Sequence, residues 1–109
     1  MSDADTTPQE QKDEQQDFRM PLPPASFSFL VLSMRAQAEM QLGLMNFGQE
    51  EKVEPDLDLA RHTIDLIAVL VEKTKGNLTL EEQRLAENSL TELRFRFVQV
   101  SDDLSKAAS

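Results

Sequence analysis

His62 is the single imidazole of the chain, and Asp58 and Asp65 lie one helical turn to either side of it. At those spacings a carboxylate can orient the ring for proton transfer or share a cation with it. One histidine excludes a multi-histidine metal site, and a serine triad would have to draw on this ring alone. The blander reading is preferred: Asp58, Arg61, His62 and Asp65 form a solvated lattice of i to i+3 and i to i+4 pairs, each worth only a few tenths of a kcal/mol. Glu81, Glu82 and Glu87 are the next candidates, as carboxylates for acid–base or glycosidic work. Glu82 instead completes a capping box with Thr79, Glu81 suits the positive end of a helix, and Glu87 is surface. Gly76-Asn77 is an isolated turn; a phosphate cradle needs several glycines ahead of a helix. Phe27, Phe29, Met34, Met40 and Met45 would suit an adaptable ligand pocket, but apolar residues at helical spacing are first of all core. No catalytic constellation emerges, so no enzyme activity, cofactor or metal is expected.

The elements that carry these residues read as three helices, at about 25–45, 56–75 and 80–103. In the first, Phe27, Leu30, Val31, Met34, Ala38, Leu42 and Met45 share a face at 100° per residue. Phe29, Leu32, Ala36 and Met40 fall nearly opposite, separated from that face by Ser28, Arg35 and Glu39 on one side and Ser33 and Gln37 on the other. A helix apolar on two faces belongs between layers. Pro21 to Pro24 formally match P-x-x-P, but prolines ahead of an apolar helical run preset its start, with Pro24 in the first turn or Ser26 as N-cap. Gly43 either ends this helix or is tolerated in its last turn, and Gly48 with the charged run to Glu54 is loop.

The second helix begins at Asp56. One stripe holds Leu57, Ala60, Ile64, Ile67, Ala68 and Val71, and another beside it holds Leu59, Thr63, Leu66 and Leu70. Together they cover about half the cylinder, more than the arc of roughly 100° that a surface helix buries. Lys73 and Lys75 suit the negative end, and Gly76 is expected at C′ in the left-handed conformation. The third helix carries a seam of Ala86, Leu90, Leu93, Phe97, Val100 and Leu104 at alternating spacings of four and three, with Phe95 and Val98 off it.

Composition limits the partners. The 109 residues carry a formal charge of −9; six acids against Lys12 and Arg19 give residues 1–20 a charge of −4 and leave −5 for the rest. Residues 1–20 are polar almost throughout and are expected to be a disordered acidic tail, with 105–109 a disordered C-terminus. Arg84, Arg94 and Arg96 sit among Glu81, Glu82, Glu87 and Glu92, so no basic stripe exists for a nucleic acid. The absence of cysteine excludes disulfides and thiolate sites, and the first residues lack a secretory signal, which makes the cytoplasm the expected compartment. Phe27 to Leu32 falls far short of the roughly 18 apolar residues of a membrane span.

The run Pro-Pro-Ala-Ser-Phe-Ser-Phe-Leu-Val-Leu-Ser (23–33), Leu42-Gly43, Asp58-Leu-Ala-Arg-His-Thr-Ile-Asp-Leu66, Glu72-Lys-Thr-Lys-Gly-Asn-Leu-Thr79 and Leu93-Arg94 resemble a bacterial family, domain of unknown function 1844. The resemblance spans roughly residues 20–100 and is most specific in the central Asp-Leu to Gly-Asn-Leu-Thr block. It implies a small helical cytosolic protein and brings no activity, cofactor or site residue to transfer. The chain departs from the family's more uniformly aliphatic first helix at Arg35 and Glu39.

The fold expected is therefore all-α, a three-helix unit over residues 21–104 with an acidic tail, assembling into a helical oligomer. Two faces on the first helix, half of the second and the extra patch on the third exceed what three short helices bury alone. The expected interface is Phe29, Leu32, Ala36, Met40, Phe95 and Val98, and the expected role is a non-enzymatic interaction protein that self-associates as a dimer or higher oligomer. The alternative is an adaptor that receives an amphipathic helix of another protein; an enzyme or metal protein using His62 ranks last. Neither nucleic acid nor membrane is an expected partner.

Overall fold

A computed structural model describes residues 21–45 and 53–108, in which the chain forms three helices: α1 (Phe27–Gln41), α2 (Leu57–Lys73) and α3 (Leu80–Ala108). The expected disordered tail, residues 1–20, lies outside the described residues. Each end of each helix has a local cause. Ser26, in extended conformation, is the N-cap of α1, and its hydroxyl accepts from the Phe29 N–H at 3.0 Å. Gly43, at φ +77°, ends that helix, with its N–H donating to Met40 O and the Leu44 N–H to Glu39 O at 2.9 and 3.0 Å. This paired return satisfies two otherwise unpartnered carbonyls and stops the helix at Gln41, as the Ser26 cap starts it at Phe27, so it is shorter at both ends than the expected 25–45. A Cβ on Gly43 would also approach Val53 O to 2.8 Å, so glycine is required there twice over.

Asp56 caps α2 by accepting from the Leu59 N–H at 3.1 Å. At the other end the helix stops at Thr74, whose hydroxyl donates to Leu70 O at 2.7 Å. Gly76 is left-handed as expected, at φ +84°, but stands two residues past the cap instead of one, because Thr74 closes the helix earlier. The capping box forms as expected: the Glu82 N–H donates to Thr79 Oγ1 and the Thr79 N–H to Glu82 Oε1, at 3.1 and 2.9 Å.

The expected end of the third helix near 103, and the expected disorder of 105–109, need correction. α3 runs on through Leu104-Ser-Lys-Ala-Ala108. No glycine or proline follows Asp103, and lysine and alanine are strong helix formers, so the helix outlasts its apolar seam.

The Asp56 N–H donates to Gln41 O at 2.7 Å, so α2 turns back along α1, and the short 74–79 turn reverses the chain again into α3. α1 and α3 therefore run parallel, and each helix packs on the other two. Their shared core is Ala38 and Leu42 from α1 and its C-cap, Ala60, Ile64 and Ile67 from α2, and Leu90 and Leu93 from α3. Val31 and Ala86 are also buried. Three of these nine are alanines, which permits close helix approach but supplies little apolar area. Two polar residues share the interior. Thr63 donates to Gln41 Oε1 at 2.6 Å, and Ser89 accepts from Arg35 Nη1 at 3.4 Å. Leu30 and Leu104, expected in the core, are exposed.

Candidate interaction surface

α1 contains only two charged residues, Arg35 and Glu39, which pair with each other while Arg35 also reaches α3. The Arg35 guanidinium lies 3.4 Å from Glu39 and also pairs with Glu92 of α3, whose other oxygen is 3.4 Å from Arg96. Glu39, Arg35, Glu92 and Arg96 thus form a ladder along the α1–α3 seam, with Ser89 beneath it. The seam consumes every charge that α1 owns.

What is left on the outer face of α1 is Phe29, Leu32, Ser33, Ala36, Gln37 and Met40, without a charge among them. Phe29, Leu32 and Met40 are exposed and Ala36 is half-buried. The surface does not stop at the edge of α1. Met40 shares with Leu59, Gln37, Gln41, Met45 and Val53 a shallow depression of about 480 Å³. Leu66 stands two turns on from Leu59 on the same line of α2, and Val69, one turn further, points away from the core beside Asp65. The exposed fractions of Phe29, Leu30, Leu32, Met40, Leu59, Leu66 and Val69 run from 39% at Met40 to 52% at Val69.

Of the six expected interface residues, the fold brings four together and sets two apart. Phe29, Leu32, Ala36 and Met40 share the outer face of α1, whereas Phe95, 63% exposed, and Val98 lie on the outer face of α3 beyond the ion-pair ladder. Val98 instead lines a cleft between α2 and α3 with Arg61, Ile64, Arg94 and Phe97, where the Arg61 guanidinium sits 5.1 Å from the centre of the Phe97 ring. Leu59 and Leu66 are not among the six expected interface residues, although their stripe belongs to the surplus apolar surface expected of the second helix. The signal that points to them is the apolar arc of α2, wider than one buried face requires.

The residues considered for chemistry are spread over the surface. His62, Asp58 and Asp65 are exposed, and no group of three or more metal-ligating side chains exists among the described residues. Glu82 is held by the cap, and Glu87 accepts from Gln83 Nε2 at 3.2 Å. No described helix is long and apolar enough to cross a membrane.

Among known proteins, the family model described as "Domain of unknown function (DUF1844)" matches residues 24–99. No curated protein and no solved structure matches.

Proposed function

The chain belongs to the DUF1844 family, a membership that marks out the helical unit and carries no activity, and from its surface we propose that it is a non-enzymatic cytoplasmic interaction protein that self-associates. The observation that supports this reading is the uncharged face of α1 and its continuation over Leu59 and Leu66. Its seven exposed side chains amount to on the order of 600 Å² of apolar surface, the upper end of what a monomer leaves in water. A standard interface takes about 800 Å² from each partner, roughly 60% of it apolar, so the face matches what such a contact uses.

A chain of net charge −9 repels its copies everywhere except through a neutral patch, and this face is one. The same charge argues against nucleic acid as the partner. A cytoplasmic setting suits a sequence without cysteine.

Light scattering across a concentration series tests the proposal. The native chain should show a mass above one copy, and Leu32→Glu or Phe29→Glu should raise the dissociation constant at least ~100-fold, because a carboxylate is desolvated in place of an apolar contact. Helical circular dichroism should persist. An unchanged mass in both variants would overturn the proposal, and stoichiometric recovery of a foreign protein bound to this face would favour an adaptor.

A further inference from the structure

The face differs in charge at its two ends. Glu54 and Asp56 border the depression where α2 begins, beside Met40 and Leu59. At the other end of α2, Lys73 stands seven residues beyond Leu66, as Leu66 stands seven beyond Leu59, so the apolar line finishes in a cation, with Lys75 following it. Lys73 has no ion-pair partner among the described residues. Lys75 reaches only Glu72, at 3.8 Å, with both side chains more than 70% exposed. Between the two ends, no charge is presented by the outer face of α1, and α2 contributes Leu59 and Leu66 to that side, with His62 and Val69 marking its border with Asp58 and Asp65.

Resting on the self-association proposed above, we infer that the occupant of this face is a second copy of the chain laid antiparallel across it, the acidic end of each over the basic end of the other. A patch that is neutral in the middle and opposite in sign at its ends is complementary to itself when turned by a two-fold axis perpendicular to the helices. A parallel arrangement sets Glu54 and Asp56 beside their own copies and Lys73 beside its own, which opposes association. The antiparallel pairing also sets the two α1 dipoles side by side in opposite directions, the positive end of each beside the negative end of the other. The area and the neutrality of the face permit a partner; the polarity of its ends selects orientation.

The native chain has no cysteine, so a single introduced thiol reports geometry without other changes. Asn77→Cys, in the exposed turn after the basic end, carries a nitroxide for pulsed distance measurement on the full chain, with mass followed by light scattering. At 1.5 Å per residue, antiparallel copies place the two labels ~40 Å apart, whereas parallel copies place them within ~20 Å. In parallel, Glu54→Lys and Lys73→Glu should each weaken association about threefold, and the double variant should return to within about twofold of native, since each reversed charge then meets its reversed partner. A dimer with labels near 20 Å, or a double variant weaker than either single one, overturns the antiparallel inference and leaves self-association standing. A single-copy mass at every concentration overturns both.

Discussion

The two flanks of α1 are opposite solutions to the same packing problem. Toward α3, the helix turns Arg35 and Glu39 into a ladder with Glu92 and Arg96 over a fully buried Ser89. On its outer side, continued by α2, it offers Phe29, Leu32, Ala36 and Met40 with no charge at all. The seam fixes how α3 lies against α1 through directional bonds between residues 57 positions apart in sequence. The outer face has area and, among the described residues, no side-chain ion pair. Charge placement therefore distinguishes the contact made within the chain from the face we propose as an interface, more sharply than hydrophobicity does, because apolar side chains line both.

That contrast can be broken in steps. The largest effect should come from Leu93→Ala, which empties core behind both flanks; we expect a loss of ~2–5 kcal/mol, read as a fall in the urea midpoint. If the loss were under 1 kcal/mol, α3 would not be anchored as described. Next, Ala36→Glu should weaken association by ~2–3 kcal/mol while leaving the urea midpoint measured at low concentration within ~0.5 kcal/mol of native. A matching fall in chain stability would mean that the outer face is internal structure. Arg35→Met should do the reverse, lowering chain stability by ~1 kcal/mol because Glu39 and the buried Ser89 lose their partner while Glu92 keeps only Arg96, with no change in mass. Raising NaCl from 50 mM to 1 M should give the smallest effect, a loss of under ~1 kcal/mol from the ladder with association unweakened or tighter. Dissociation at high salt would show that charge, not apolar area, holds copies together.

Local chemistry was legible in the sequence. Thr79 with Glu82 and Asp56 ahead of Leu57 are short-range signals whose partners lie within a few residues, and both act as ends of helices; for Gly43 the sequence leaves an end and a last-turn position equally open, and the structure makes it the end. The central stripe of α2, with Ala60, Ile64 and Ile67, and the seam residues Ala86, Leu90 and Leu93 follow from periodicity and are buried. Arg35 marks the limit. Its type and spacing identify a polar separator, but its partners on α3 depend on a parallel α1–α3 arrangement that no local pattern encodes. Leu59 and Leu66 fail for a related reason: periodicity places them on a stripe without saying which side of the stripe another helix covers. α3 is longer than its apolar seam because helix propensity alone sustains the last turn beyond Leu104, where periodicity gives no signal.

The junction between α1 and α2 has a consequence for how freely this protein can vary. Gly43 sits against Val53 O, and the Asp56 N–H reaches Gln41 O, so the hairpin is buttoned at its stem on both sides of residues 46–52. The alignment of α1 with α2 is thus written into three backbone positions, 41, 43 and 56, and not into side-chain packing alone. A side chain at position 43 would therefore unfasten the whole hairpin.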